Sequence, residues 1–171
     1  MGYYEKYDLQ DIVTWVKNER GNDSIVGVHG ESMGATTAIL HAAIDHRIKF
    51  TIADCAFADL YTQFAYRLKI DYRLPEFPLL QIANILAKLI VGVSYKMVSP
   101  IHEIHKVSTP MMYIHGDKDK FTRTEDSHQL YLHTKGIKDI YIAKDASHAE
   151  SIYVDSLKYR QKIVSFINSL S

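Results

Sequence analysis

Gly30-Glu31-Ser32-Met33-Gly34 is the stretch on which the reading of this chain turns. Before it, Ser24-Ile-Val-Gly-Val-His29 is a short apolar run of the kind that forms a buried strand. After it, an alanine-rich stretch from about Ala35 to Asp45 has helical character. A Gly-x-Ser-x-Gly segment set between strand and helix makes a sharp turn that lifts the serine hydroxyl above the sheet. Small flanking residues let the backbone fold tightly there. A serine hydroxyl is a poor nucleophile at its free pKa, so this placement has chemical meaning only with a positioned base.

Outward from the motif, helix and strand signals alternate. Leu9, Ile12, Val13 and Val16 share a helical face, and Gly21 is a natural stop. Phe50-Thr-Ile-Ala53 is a second strand, and Met111-Met-Tyr-Ile114, opened by Pro110 and ending at His115-Gly116-Asp117, is a third. Asp139-Ile-Tyr-Ile-Ala143 is a fourth. Residues 124–133 read as a helix, as do 151–169, where Ile163, Phe166, Ile167 and Leu170 share a face. Short apolar strands alternating with helices predict a parallel sheet covered on both faces, an α/β class. The whole chain, 1–171, reads as one domain, with 59–98 as an aromatic-rich helical insertion broken by Pro75 and Pro78.

Composition narrows the function. Lys+Arg and Asp+Glu both number 20, so bulk charge favours neither nucleic acid nor an anionic membrane. The lone cysteine, Cys55, excludes an internal disulfide and a cysteine-based metal cluster, which fits a reducing, cytoplasmic setting. The N-terminus has no basic region followed by an apolar run, so no signal peptide is expected. The most apolar stretch, 79–93, is shorter than the ~20 residues of a membrane span and is interrupted by Gln81, Asn84 and Lys88. Its apolar positions at 79, 82, 83, 86, 90 and 93 predict an amphipathic helix lying on the protein body.

Of the nine histidines, His148 is best placed as the base, just after the last strand and before the last helix. A base of this kind needs an acid to hold its tautomer and stabilise the imidazolium. The turn after the third strand offers Asp117 and Asp119. Asp119 stands farther past the strand end, where it can reach across the sheet top; Asp117 suits a turn-fixing role through backbone amides. The order Ser, Asp, His is that of an α/β-hydrolase.

Gly27-Val-His-Gly-Glu-Ser-Met-Gly-Ala-Thr-Thr-Ala38 resembles the nucleophile elbow of the α/β-hydrolase superfamily. Ser99-Pro100, Thr109-Pro110, Tyr113-Ile-His-Gly-Asp-Lys-Asp119 and Ser147-His148 resemble its later landmarks, over nearly the whole chain. The likeness is to the bacterial esterase and serine-aminopeptidase-like branch, whose members often read Gly-Glu-Ser-Met-Gly. It implies a serine hydrolase acting on carboxylic esters, or thioesters or peptides, of a small-molecule substrate, with no cofactor. Ser32 matches the nucleophile, Asp119 the acid and His148 the base. The Met33 N–H matches one of two oxyanion donors.

The resemblance also implies a departure. The family's first four strands and the loop carrying the second oxyanion donor have no counterpart, so about four strands of the C-terminal half of the fold are expected. The nucleophile strand would then expose an apolar edge open to pairing with another chain or to aggregation. The competing expectation is an inert fragment, or half of a split hydrolase acting only as an assembly partner. Within 59–98, Tyr61, Phe64, Tyr66, Tyr72 and Phe77 either line an apolar pocket or pack helix against sheet. Cys55 is expected buried rather than reactive. The Met33 side chain is expected to pack, Glu31 to be exposed, His29 to be structural, and His102 and His105 to lie on a solvated helix surface. No metal-ligand spacing and no phosphate-binding glycine loop occur in the sequence.

Overall fold

The computed structural model describes residues 2–170. Helix α1 (Glu5–Arg20) ends at Gly21, whose φ of 92° few other residues would adopt. Strand β1 (Gly27–Glu31) runs through the first half of the serine motif, and α2 (Met33–Ala42) begins at the residue after Ser32. Next come β2 (Phe50–Asp54), α3 (Leu60–Tyr72) and α4 (Leu79–Val91), then a short 3-10 turn at Tyr95–Met97. The chain continues through α5 (Pro100–Glu103), a second 3-10 turn at Ile104–Lys106, β3 (Met111–Gly116), α6 (Thr124–His133) and β4 (Lys138–Ala143). It closes with α7 (Ser151–Val154) and α8 (Ser156–Asn168).

The four strands form one all-parallel sheet in the order β1-β2-β3-β4. Alternate residues build two cores, as strand geometry requires. Ala53, Met111 and Tyr113 point to the layer holding Val13, Ala35, Ile39, Ile104 and Leu130. Ile52, Met112 and Ile114 point to the other, with Tyr141, Tyr159 and Phe166. A third cluster, Leu40, Phe57, Leu60 and Val98, seats the 59–98 segment on the body. Among the described residues, β1 has a strand neighbour on one side only.

Three local expectations are corrected. The first strand starts at Gly27 rather than Ser24 and extends through Gly30-Glu31, because the ladder with β2 continues to the pair Glu31–Asp54. The last helix is two helices: Asp155, at φ −147°, leaves the helical region and its side chain accepts from Lys158 N–H, capping α8. Third, α4 does not lay its apolar stripe on the body. Leu80 is buried, whereas Ile82, Ile85, Leu89 and Ile90 are exposed. The inward positions carry small and polar residues, and Asn84 Oδ1 accepts from Tyr95 N–H at 2.7 Å. Periodicity locates a stripe but not the direction in which it points. Among the described residues no single helix is long and apolar enough to cross a membrane; α4 and Tyr95–Lys106 meet at a 75° bend.

An ionic network ties the end of α2 to α1. Arg47 donates to Asp45 from Nε at 2.8 Å and from Nη2 at 2.6 Å, and its Nη1 donates to Thr14 Oγ1 at 2.9 Å. Hydrogen bonds from Arg47 hold the buried Asp45 carboxyl down at about 2, below its ordinary 3.8. A depressed folded-state value stabilises the fold above the unfolded value and is lost as pH falls through the folded one. The urea midpoint should therefore drop between about pH 4 and pH 2, and Asp45→Asn should remove about 2 kcal/mol at neutral pH and flatten that part of the profile.

Candidate active site

The C-terminal rim of the sheet is stitched one residue beyond the strands. Ser32 N–H donates to Asp54 C=O at 2.8 Å, Cys55 N–H to Ile114 C=O at 2.8 Å, and Asp117 N–H to Ala143 C=O at 3.0 Å. Each loop leaving the sheet is thus hung from its neighbour. Ser32 sits on this rim with φ 54° and ψ −116°, a conformation disfavoured for any residue with a Cβ. It is the sharp turn expected of the motif, and it lifts the side chain off the end of β1.

The two flanking glycines are not equivalent. A Cβ on Gly30 would collide with the Gly34 carbonyl, whereas a Cβ on Gly34 meets nothing within 4 Å. The expectation that both must be small therefore holds on steric grounds for Gly30 alone. Gly30→Ala should cost about 3 kcal/mol through overpacking. Gly34→Ala, in the first turn of α2, should gain up to about 1 kcal/mol. Urea midpoints of the two variants moving in the same direction would count against this account.

His148 arrives from the loop after β4, flanked by Asp145 (φ 63°) and Ala149 (φ 60°) in left-handed conformations. Gly116 lets that loop close on β3, since a Cβ there would meet the Ala146 and Ser147 carbonyls. His148 Nε2 lies 2.9 Å from Ser32 Oγ, and its Nδ1 lies 2.8 Å from Asp119 Oδ2. An ionised carboxylate only accepts, so Nδ1 carries the hydrogen and Nε2 accepts from the serine hydroxyl.

Asp119 is held from several sides. Its Oδ1 accepts from Phe121 N–H at 2.7 Å and Thr122 N–H at 3.0 Å, and its Oδ2 from Thr122 Oγ1 at 2.8 Å. Burial works against its charge, but hydrogen bonds from His115, His148, Thr122 and Phe121 outweigh that and hold the carboxyl well below the usual carboxylate range. Asp117, the other candidate, accepts from Asp145 N–H at 2.6 Å and so fixes the loop that carries His148.

Met33 N–H, at the first position of α2, has no carbonyl four residues back in its own helix. The Met33 side chain does not pack but is 46% exposed, because it points out of the elbow rather than into α2's buried face. Cys55 is buried, and burial pushes its thiol up to about 12. Ligand atoms of Cys55, Asp119 and His148 lie within 4.8 Å of one another. With the thiol protonated and Nδ1 committed to Asp119, they are not a prepared metal site. Glu31, His102 and His105 are exposed. His29 pairs with Tyr159 Oη at 3.1 Å, and Tyr159 Oη–H donates to Asp54 at 2.9 Å.

A cavity of about 690 Å³ opens beside His148, lined by Arg67, Ile70, Asp71, Phe121 and Ser147 among others. None of the five aromatics expected as candidate lining in 59–98 belongs to it. Phe64, edge-on against Tyr95 at 4.7 Å, and Tyr72 line a separate, mostly apolar cavity of about 380 Å³, Tyr61 and Tyr66 line another, and Phe77 faces solvent. What α3 supplies is a clamp on the acid loop. Gln63 Nε2 donates to Phe121 C=O at 2.7 Å, and Arg67 Nη1 to Lys120 C=O at 2.7 Å. The Arg67 guanidinium lies 4.3 Å from the Phe121 ring centroid, and that ring lies 4.7 Å from His148. His115, fully buried at the end of β3, also reaches Asp119. Sequence reasoning passed over both: a histidine inside a strand run looks like core, and Phe121 gives no periodic signal.

Similarity to known proteins accords with this architecture. The profile of the X-Pro dipeptidyl-peptidase (S15) family matches residues 1–82. The protein YqkD of Bacillus subtilis (strain 168) is 39% identical over 172 residues, covering 99% of this chain and 56% of its own length. The chain thus spans about half the length of that relative. The esterase Pf2001 of Pyrococcus furiosus superposes with a TM-score of 0.75 at 24% identity, over 99% of this chain and 63% of that one. The α/β hydrolase GrgF of Penicillium sp. sh18 gives 0.68 at 20%, over 98% and 72%. With its parallel sheet, its strained serine elbow and these likenesses, the chain has the α/β-hydrolase fold.

Proposed function

We propose that this chain is a serine hydrolase that cleaves carboxylic esters through an acyl-Ser32 intermediate, with His148 as base and Asp119 as its acid. The observation that carries the reading is His148 itself, bridging Ser32 Oγ at 2.9 Å and Asp119 Oδ2 at 2.8 Å. Nε2 takes the hydroxyl proton as Oγ attacks the carbonyl carbon, then returns it to the departing alcohol. Water, deprotonated by the same nitrogen, releases the acid from Ser32. Asp119 holds the ring and stabilises the imidazolium without itself taking the proton. Met33 N–H donates to the oxyanion.

Esters head the substrate list, with thioesters and peptides after them: one structural neighbour is an esterase, while the matching profile is of a peptidase family. The test is a fluorophosphonate probe with mass mapping of the adduct, alongside hydrolysis of chromogenic esters and an X-Pro amide. An adduct on Ser32 and ester turnover lost in Ser32→Ala are expected. Turnover that survives Ser32→Ala overturns the reading.

The proposal extends to the outer edge of β1. A parallel strand with a vacant side presents unpaired N–H and C=O groups, and it takes a strand from another chain or segment. Sedimentation that stays monomeric at every concentration, with edge amides exchanging at free-peptide rates, counts against this.

A further inference from the structure

We propose that His115 is a positioning residue for the acid: its Nε2–H fixes the Asp119 carboxylate toward His148, and Ser127 holds His115 in the tautomer that allows this. The inference rests on the Ser32-His148-Asp119 reading above and adds two residues to it.

His115 stands at the end of β3 with no solvent exposure, so both ring nitrogens need protein partners. Nδ1 lies 2.7 Å from Ser127 Oγ on α6, and Nε2 lies 3.1 Å from Asp119 Oδ2 and 3.2 Å from Thr122 Oγ1. Ser127 is equally buried. An ionised carboxylate gives no hydrogen, so Nε2 must supply it. Nδ1 is then an acceptor, and the hydroxyl able to donate to it is that of Ser127. Asp119 lies four positions after His115, so strand end and acid loop are joined by this contact as well as by backbone.

The geometry explains why a second histidine is useful. Phe121 and Thr122 amides pin Oδ1, but Oδ2 is the atom that faces His148. Thr122 Oγ1 has one hydrogen and two acceptors in reach, Asp119 Oδ2 at 2.8 Å and Cys55 C=O at 3.2 Å. Its hold on Oδ2 is therefore divisible. His115 comes at Oδ2 from the buried side and fixes the carboxylate plane independently of Thr122. The contacts of His115 are with Asp119, Thr122 and Ser127, so it acts on the reaction through Asp119.

The test compares His115→Leu, His115→Gln and Ser127→Ala with the parent chain. Glutamine places an N–H donor near the Nε2 position; leucine fills space and donates nothing. His115→Leu should lower kcat for a chromogenic ester by about 10- to 100-fold with KM changed less than about twofold, the scale of a small misplacement of reacting groups. His115→Gln should recover most of that loss, and Ser127→Ala should lie between. In histidine-15N-labelled protein, His115 should carry its hydrogen on Nε2. The low-field Nδ1–H proton signal of His148 should weaken in His115→Leu and persist in His115→Gln.

Equal losses in the leucine and glutamine variants would reduce His115 to packing and overturn the proposal. So would an NMR assignment of the His115 hydrogen to Nδ1 alone. Should His115→Leu fail to fold, the glutamine and Ser127→Ala arms and the NMR assignment decide. A parent chain with no Ser32 adduct and no ester turnover would instead defeat the underlying hydrolase reading, while the tautomer measurement still reports on His115.

Discussion

Ser32→Ala should lower ester turnover by about six orders of magnitude, or to the uncatalysed background if that is reached first, the scale of nucleophile removal in other serine hydrolases. The size follows from chemistry: without Oγ no acyl intermediate forms, and His148 Nε2 loses the hydroxyl 2.9 Å away that it is placed to deprotonate. What remains is binding and the Met33 amide, which gives only modest acceleration. The fold should survive. Alanine carries the same Cβ into the strained conformation at φ 54°, and the backbone bond from residue 32 to Asp54 C=O is unchanged. The paired measurement is turnover and thermal melting. Turnover should collapse with a melting temperature within a few degrees of the parent; a variant that loses both has lost structure, and its kinetics would say nothing about the nucleophile.

Asp119→Asn should cost about 10⁴-fold in kcat, by analogy with the same change in a serine protease triad. The local hydrogen bonds say why so small a change is so damaging. Phe121 and Thr122 amides both donate to Oδ1, so the asparagine oxygen must stay there and its NH₂ must occupy the Oδ2 position. That NH₂ then faces His148 Nδ1 and His115 Nε2, both donors in the parent arrangement. His148 escapes the conflict by moving its hydrogen to Nε2, where it points at Ser32 Oγ and can no longer accept the serine proton. Fluorophosphonate labelling should slow in proportion. A kcat within tenfold of the parent would show that Asp119 is not the orienting acid.

The parts of this molecule that a linear reading reaches are those set by periodicity and by strand ends. The four strands, the helix 124–133, the stop at Gly21 and the strand start after Pro110 follow from local patterns, and the structure reproduces them within a few residues. Ser32, Asp119 and His148 could be placed together from sequence because each follows a strand, and the C-terminal ends of parallel strands meet on one rim. Direction was harder. The α4 stripe is visible in sequence, but Leu80 alone of its large residues turns inward, while Asn84 accepts from Tyr95 N–H. The break at Asp155 was hidden because an aspartate is tolerated in a helix unless its side chain finds a better use as a cap. His115 and Phe121 could not be read at all. Their roles exist only through contacts with Asp119, Ser127, Arg67 and His148 that the fold creates.

The stitched rim gives the site an internal ruler. Because Ser32, Cys55 and Asp117 each hang from the next strand by a backbone bond, the gaps between the three loops are multiples of the strand spacing, ~4.8 Å, and not products of loop conformation. The span from Ser32 to the loop that carries Asp119 is therefore as stiff as the sheet. On warming, such a rim has no early, locally melted state in which the loops drift apart while the body persists. Heat inactivation should coincide with loss of the sheet, and cooling should restore spacing and chain fold in one event.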